Sequence, residues 1–313
     1  MRKTIVIICG PTAVGKTAAS IELAKKLNGE IVSADSMQIY KYFDIGSAKP
    51  TAEEMGDIKH HLIDEIDPRD EFSVAEYRKQ AQSYIQEIFE KGKLPIIVGG
   101  TGLYINALMY EMDFSGADSD PEYREELNRL WQEKGGDFLH QQLAQIDPEA
   151  ASRIHANNVK RVIRALEVNK MSGENMSDFK TDLIPTKEYD VILIGLKRLR
   201  MKLYAAINKR VDIMLENGLI DEIKNLKTLG LNDKYVSMQG IGYKEVLPYL
   251  DGKYSYEQMV STIKQNSRRY AKRQLTWFRR YDSIKWFDYD QCGSLDEYLS
   301  QIEHYVREKI AAD

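Results

Sequence analysis

Cysteine, long apolar runs and excess charge of one sign are all scarce in this sequence. Cys9 and Cys292 are the only cysteines among 313 residues, and their spacing matches neither a zinc site nor a disulfide framework. Such a chain suits a reducing compartment, so we predict a cytoplasmic protein. No stretch approaches the roughly 18 apolar residues that a membrane span needs, which predicts a soluble chain with no membrane partner.

Composition and charge exclude little else. The formal net charge of -4 argues against a uniformly basic nucleic-acid binder, yet it leaves room for a local basic face. Hydrophobic residues at 43% and charged residues at 29% are close to the average of soluble globular proteins. No internal repeat is visible, so one large domain or two modest ones are expected.

Strand and helix patterns alternate in the first third of the chain. Helical apolar spacing covers residues 17–27, and a capping box at Ser73 opens another helix. Apolar, β-branched runs predict strands at residues 4–9, 30–34, 95–98 and, much later, 189–196. Because helices separate these strands, the order indicates a parallel sheet.

The strongest chemical signal is a glycine-rich loop directly after the first predicted strand. Its sequence fits the P-loop pattern, and a predicted helix follows it, which disfavours a chance glycine turn. Backbone amides of such a loop surround phosphate oxygens, Lys16 adds a positive charge, and Thr17 offers a hydroxyl to Mg²⁺. The predicted phosphate-binding residues are Gly10, Pro11, Thr12, Ala13, Val14, Gly15, Lys16 and Thr17.

These patterns predict an α/β fold with a P-loop NTPase-like parallel-sheet core. Residues 121–171 show only helical patterns, with proline after a capping aspartate at two helix starts. We therefore place an all-helical insertion domain at residues 115–190. The core domain takes residues 1–114 plus 191–313 and ends in a helical C-terminal segment.

Two polar side chains follow predicted strands of the sheet. Asp35 comes directly after residues 30–34, and Thr101 lies in the glycine-rich segment after residues 95–98. Ligands bind at the carboxyl edge of parallel sheets, so both residues are expected beside the P-loop. Asp35 could be a metal ligand, a general base or a helix cap. We favour the base, because no obvious amphipathic helix follows it. Thr101 could cap a helix and direct amides at an anion.

Basic and aromatic residues interleave over residues 268–280 without an acidic residue. Such a segment suits RNA phosphates, although a charged, solvent-exposed helix is the alternative. A second basic cluster, Lys160, Arg161 and Arg164, lies in the predicted insertion and favours RNA held between two regions. The adjacent His60 and His61 lack further ligands at zinc spacing, so we reject a metal site there and expect them to order a loop.

Six segments together resemble tRNA dimethylallyltransferases. The resemblance covers roughly residues 4–280 in unchanged order, and nothing can be assigned after about residue 285. The segments are 10–17 (Gly-Pro-Thr-Ala-Val-Gly-Lys-Thr), 33–36 (Ser-Ala-Asp-Ser), 60–64 (His-His-Leu-Ile-Asp), 98–104 (Val-Gly-Gly-Thr-Gly-Leu-Tyr), 161–168 (Arg to Val) and 242–245 (Gly-Tyr-Lys-Glu).

The resemblance implies transfer of a dimethylallyl group from dimethylallyl diphosphate to the exocyclic amine of the adenosine 3′ to the anticodon in tRNA. The P-loop would bind the diphosphate, with Mg²⁺ held through Thr17. Asp35 would be the general base, while Thr101 and Arg210 would stabilise the leaving diphosphate. By spacing alone, Arg210 on its amphipathic helix is only a solvated arginine.

The implied partner is the anticodon stem-loop of tRNA, bound by a monomer. RNA bases are recognised in single strands, and the adenine must leave its stack to reach Asp35. The expected tRNA contacts are Asp35, Ser36, Met37, Gln38, Thr101, Arg124, Lys160, Arg161, Arg164, Gly242, Tyr243, Lys244, Arg268, Arg269, Lys272 and Arg273.

Three other functions compete with this interpretation. A small-molecule P-loop kinase would use Lys16 and Thr17 on ATP, but it leaves the basic segment near residue 275 unexplained. An RNA-binding nucleotide switch explains that segment but gives Asp35 and Thr101 no chemistry. An adenylate isopentenyltransferase, acting on free nucleotide, would share the catalytic set and form product without tRNA.

Overall fold

The computed structural model describes residues 3–112, 120–173 and 184–312, and these residues include a six-stranded parallel sheet. The strands are β1 Lys3–Cys9, β2 Gly29–Ala34, β3 His60–His61, β4 Leu94–Gly99, β5 Tyr189–Lys197 and β6 Lys285–Asp288. Their order in the sheet is β3-β2-β4-β1-β5-β6, and each neighbouring pair is parallel. The predicted α/β fold with a parallel sheet is confirmed.

Helices cover the sheet and account for most of the remaining chain. The helices are α1 Lys16–Leu27, α2 Ala52–Met55, α3 Val74–Glu90, α4 Gly102–Met109, α5 Pro121–Lys134, α6 Gly136–Ile146, α7 Pro148–Arg153, α8 Val159–Ser172, α9 Arg200–Glu216, α10 Leu219–Thr228, α11 Tyr243–Leu250, α12 Tyr256–Phe278 and α13 Leu295–Ala312. Ser73 and Glu76 form the predicted capping box of α3. No helix of the described residues is long and apolar enough to cross a membrane.

The segment after residue 285, which the sequence left unassigned, completes the sheet and one helical layer. Strand β6 pairs with β5 at the sheet edge. Helix α13 contributes Leu299, Ile302 and Val306 to the same buried cluster that contains Leu23 of α1. The C-terminal segment is therefore helical, as predicted, with one short strand before it.

The described residues fall into two units, one within Met1–Met109 and Thr186–Asp313, the other within Tyr110–Pro185. The predicted domain boundary at 114/115 lies outside the described residues. The predicted boundary at 190/191 falls inside β5, because that strand already begins at Tyr189.

The smaller unit is built from α5 to α8 around its own apolar core. Asp120 and Asp147 cap α5 and α7 through their side chains, and each is followed by proline at the first helical position. Leu127, Leu139 and Leu143 are completely or almost completely buried in this core. These helices match the helical pattern of residues 121–171.

Candidate active site

The P-loop follows β1 and leads directly into α1. Gly15 precedes the helix with φ +102°, a backbone conformation that side chains disfavour, and Ala13 has φ +62°. A loop of this kind turns several backbone amides toward one concave space at a helix N-terminus. The structure therefore places the predicted loop where it can hold an anion.

Lys16, the first residue of α1, folds back over the loop. Its Nζ donates hydrogen bonds to the carbonyl oxygens of Gly10 at 3.1 Å and Pro11 at 3.0 Å. Burial lowers the pKa of Lys16 to about 8, although the negative charge of Asp35 opposes this shift. The ammonium is thus held inside the phosphate-binding loop. Its lowered pKa means that it loses its proton in mildly alkaline solution.

Asp35 and Thr101 meet at the carboxyl ends of β2 and β4. Asp35 Oδ1 accepts a hydrogen bond from the amide of Met37 at 2.9 Å, so the carboxylate caps a turn, not a helix. Thr101 Oγ1 accepts from the amide of Ser36 at 3.1 Å, and the Thr101 amide donates to the carbonyl of Ala34. Thr101 therefore fixes the turn that carries Asp35.

One cavity of about 720 Å³ joins these elements. Its polar lining includes Lys16, Thr17, Asp35, Arg210, Tyr270 and Arg273, and its apolar lining includes Ile207, Val211, Met214, Val236, Ile241 and Ile263. Ile207, Val211 and Met214 lie on one apolar face of α9, and this face forms part of the cavity wall. A charged end and an apolar wall in one cavity suit a ligand that is itself charged at one end and apolar at the other.

Arg210 lies on the cavity and not on an outward face of α9. Its side chain is half-buried, so the expectation of a solvated arginine is wrong. Burial lowers the pKa of its guanidinium, whereas the carboxylates of Asp35 and Glu54 oppose this. Helical spacing alone missed this position because it does not reveal that α9 separates the core from a cavity.

The cavity offers few protein ligands for a metal ion. Within residues 3–112, 120–173 and 184–312, no group of three or more His, Cys, Asp or Glu side chains could hold one. Thr17 and Asp35 do line the cavity and present oxygen atoms. Mg²⁺ at phosphate sites commonly takes one or two protein oxygens and fills its remaining positions with phosphate oxygens and water. The donor set therefore fits Mg²⁺ bound together with a diphosphate.

Comparison with known proteins assigns the chain to a family. The family model described as IPP transferase matches residues 38–281. The chain belongs to this family. A curated tRNA dimethylallyltransferase from Clostridioides difficile is 55% identical over 306 residues, which are 98% of each chain. Another, from Bacillus cytotoxicus, is 53% identical over 306 residues and covers 96% of this chain and 95% of its own. The resemblance that the motifs indicated is confirmed.

Two solved structures have the same fold. The full-length tRNA isopentenylpyrophosphate transferase of Bacillus halodurans is 47% identical, with a TM-score of 0.75 over 99% of this chain and 98% of that one. A eukaryotic dimethylallyltransferase, described as acting on tRNA, is 31% identical, with a TM-score of 0.77 over 91% of this chain and 74% of that one. Both likenesses confirm the fold of a prenyl-transferring enzyme.

Helix α12 carries the basic residues that were predicted to contact tRNA. Arg269, Lys272 and Arg273 are exposed, and Arg273 also lines the cavity. Arg268 is half-buried and donates a hydrogen bond to Asn208 Oδ1 of α9 at 2.6 Å. The structure thus gives Arg268 a packing contact, while the three exposed side chains are accessible to phosphate.

The predicted contacts of the insertion divide into two kinds. Lys160 and Arg161 are exposed at the start of α8. Arg124 and Arg164 both bind the buried carboxylate of Glu167, at 2.9 Å and 2.8 Å. Pairing with this carboxylate is a sufficient structural role for both arginines, because a buried negative charge needs positively charged partners. Their role toward tRNA stays a prediction.

Tyr243 was expected to contact tRNA, but the structure gives its side chain a different position. Its side chain is completely buried, packs against Phe43 and donates a hydrogen bond to Glu222 at 2.8 Å. Only its neighbours Gly242 and Lys244 line the cavity. The side chain of Tyr243 therefore supports the site from the core and does not reach RNA.

Glu222 is a supporting residue that the sequence did not single out. Its carboxylate accepts hydrogen bonds from three consecutive amides, those of Asp44, Ile45 and Gly46, at 2.7 to 3.1 Å. Gly46 lines the cavity, as do Met37 and Gln38 before it. The carboxylate thus fixes one wall of the cavity from α10.

His60 and His61 form the short strand β3 at the sheet edge, directly before the loop that they were expected to order. His61 Nε2 lies 2.8 Å from a carboxylate oxygen of Glu30, which is also paired with Lys91 and Lys93. Burial opposes ionisation of Glu30, but hydrogen bonds from these partners outweigh it and lower its pKa to about 2. His61 therefore belongs to a structural cluster of charged side chains at the edge of the sheet, whereas His60 Nδ1 lies 2.8 Å from the carbonyl oxygen of Ile58.

Proposed function

We propose that this chain transfers a dimethylallyl group from dimethylallyl diphosphate to the exocyclic amine of the adenosine 3′ to the anticodon in tRNA, releasing diphosphate. The observation that carries the proposal is a single cavity, in which Asp35 lies among Lys16 and Arg210 beside an apolar wall. Curated relatives of nearly the same length and 50–55% identity support the same reaction by their names.

The acceptor amine explains the need for a carboxylate. Its lone pair is delocalised into the adenine ring, so the amine becomes a useful nucleophile only as it loses a proton. Asp35 takes that proton while the bond from nitrogen to the allylic carbon forms. The bond from that carbon to the diphosphate oxygen breaks at the same time, and both of its electrons leave with the diphosphate.

The leaving diphosphate explains the two cations. Negative charge accumulates on the diphosphate oxygen that is released from the allylic carbon. Lys16 and Arg210 line the cavity in which this charge develops. Thr17 would hold Mg²⁺ together with diphosphate oxygens, and the ion would neutralise part of the developing charge. The apolar residues of α9 would receive the prenyl chain and keep water from the reacting carbon.

The tRNA would approach through the exposed basic residues of α12. Arg269, Lys272 and Arg273 would contact phosphates of the anticodon stem-loop, and the target adenine would leave its stack to enter the cavity. Met37 and Gln38 line the cavity next to Asp35 and would border the base. A monomeric, cytoplasmic enzyme is part of this proposal.

Label transfer tests the proposal directly. Radiolabelled dimethylallyl diphosphate, unmodified tRNA and Mg²⁺ are incubated with the protein, beside an ATP hydrolysis assay and a reaction with AMP as acceptor. We expect label on tRNA, none on AMP and no ATP turnover. Rapid ATP turnover would instead support a small-molecule kinase, and label on AMP would support an enzyme for free nucleotides.

A further inference from the structure

A buried glutamine joins the P-loop to the loop that carries Thr101. Gln274 of α12 is only 5% exposed. Its Oε1 accepts a hydrogen bond from the amide of Thr12 at 2.9 Å, and its Nε2 donates to the carbonyl of Gly100 at 3.0 Å. One side chain thus satisfies a donor and an acceptor from two separate loops.

The hydrogen bond to Thr12 fixes the direction of one peptide group. The amide N–H of Thr12 and the carbonyl of Pro11 belong to the same planar trans peptide, so they point in opposite directions. The N–H points at Gln274, and the carbonyl accepts from Lys16 Nζ at 3.0 Å. Gln274 therefore determines that a carbonyl, and not an amide, faces the catalytic ammonium here.

This arrangement changes the role expected for Thr12. Its amide was predicted to bind phosphate with the rest of the loop, but it is committed to Gln274. The peptide instead gives Lys16 a carbonyl acceptor, which fixes the position of its Nζ.

The second hydrogen bond anchors the other side of the cavity. Gly100 precedes Thr101, whose hydroxyl holds the turn after Asp35. A Cβ atom at Gly100 would collide with Nε2 of Gln274, so the missing side chain leaves the space for this contact. The same glutamine therefore sets the P-loop and the Asp35 turn relative to each other.

We propose that Gln274 is a positioning residue, which locks the Pro11–Thr12 peptide so that Lys16 Nζ and the P-loop are held in place at the diphosphate site. The proposal rests on the proposed function only in taking the anion to be the diphosphate of the prenyl donor. Binding of inorganic diphosphate can be measured without turnover, so the two ideas can fail separately.

The test compares two substitutions that break the contact from opposite sides. Gln274→Met removes both hydrogen bonds, and Gly100→Ala adds a Cβ atom that would collide with Nε2 of Gln274. Calorimetry with inorganic diphosphate and Mg²⁺, without tRNA, gives the diphosphate affinity of each variant and of the double variant, and filter binding gives their tRNA affinity. Gln265→Met, an exposed position on the same helix, is the matched control.

We expect Gln274→Met to bind diphosphate about three- to tenfold more weakly, the effect of losing hydrogen bonds of ordinary strength. Gly100→Ala should weaken diphosphate binding by a similar factor, because the added Cβ displaces the amide of Gln274. The two losses should not add in the double variant, since both act through the same contact. The tRNA affinity should stay at the wild-type value in each variant.

Wild-type diphosphate affinity in Gln274→Met would overturn the proposal. Additive losses in the double variant would also overturn it, because Gly100→Ala would then act elsewhere. An equal loss of tRNA affinity would show a general disturbance of the fold and would overturn it too. If Gln274→Met does not fold, the diphosphate affinity of Gly100→Ala decides. If wild-type protein binds diphosphate but transfers no label to tRNA, the proposed function fails and the role of Gln274 is still decided.

Discussion

At the scale of single residues, Asp35 combines two roles in one carboxylate. Oδ1 accepts a hydrogen bond from the amide of Met37 and so stabilises the turn. The charged carboxylate also lines the cavity, together with Lys16 and Arg210. An asparagine can still accept the amide of Met37 but cannot remove a proton. Substitution of Asp35 by asparagine therefore separates the geometry of the turn from the chemistry.

We predict that Asp35→Asn lowers the rate of prenyl transfer about 10²- to 10⁴-fold, the usual contribution of a general base, while tRNA binding is retained. Single-turnover label transfer measures the rate, and filter binding measures the affinity. Asp221→Asn, whose side chain is 74% exposed on α10, is the control and should keep normal activity. Near-normal transfer by Asp35→Asn would assign the base to another group.

Lys16 leads to a prediction about pH. Its pKa is lowered to about 8, so the ammonium loses its proton as the pH rises through that value in the free enzyme. Affinity for the diphosphate should then be constant below about pH 8 and fall above it, because only the charged form attracts the anion. The KM for dimethylallyl diphosphate across this range measures the effect.

The control for this prediction is Lys16→Arg, whose guanidinium stays charged throughout. Its KM need not equal that of the wild type, but it should not depend on pH in this interval. An unchanged alkaline limb in Lys16→Arg would mean that a different group titrates.

Local motifs explain why some site residues were predictable and others were not. The P-loop, Asp35 and Thr101 follow strands directly, so the sequence around each one already indicates its place at the sheet edge. Gln274 is different, because its partners lie 262 and 174 residues away in the chain. Nothing near such a residue in sequence marks its role.

At the scale of secondary structure elements, α12 separates its roles by face. Ile263, Ala271 and Phe278 are buried, Tyr270 and Gln274 turn toward the site, and Arg269 and Lys272 are exposed. The 3.6-residue period of a helix allows one element to carry a core face and a phosphate-binding face. The basic segment at 268–280 was predictable, but the division among its members needed the packing.

We predict that the double substitution Arg269→Gln and Lys272→Gln weakens tRNA binding and lowers the salt dependence of the affinity by about one to two in log-log slope. Filter binding at several salt concentrations measures the slope. The matched control, Lys25→Gln with Lys309→Gln, removes the same charge from exposed positions on α1 and α13. An equal loss of slope in the control would show that total charge, and not the face of α12, determines binding.

The two shortest strands were not predicted from the sequence. Strand β3 has two residues and β6 has four, too few for a periodic pattern to be visible. Their positions depend on pairing with β2 and β5, which are distant in sequence. The four longer strands were predictable because each is a run of buried apolar residues between helices.

At the scale of the whole molecule, the two units have separate hydrophobic cores. Leu143 of α6 is completely buried among helices α5 to α8. Ile302 of α13 is 1% exposed in the cluster that contains α1 and β1. Because hydrophobic stabilisation is local to the atoms that are buried together, each core should control the opening of its own unit.

We predict that Leu143→Ala and Ile302→Ala destabilise different amides. Each substitution should cost about 2–5 kcal/mol in the free energy of unfolding of the core that contains it. Native-state hydrogen exchange should show lower protection in α6 and α8 for Leu143→Ala with β1 unchanged, and lower protection in α1, α13 and β1 for Ile302→Ala with α6 and α8 unchanged. Equal losses at all of these amides in both variants would mean that the chain opens as one cooperative unit. A substitution in the helical unit would then affect the P-loop only by lowering the stability of the whole chain.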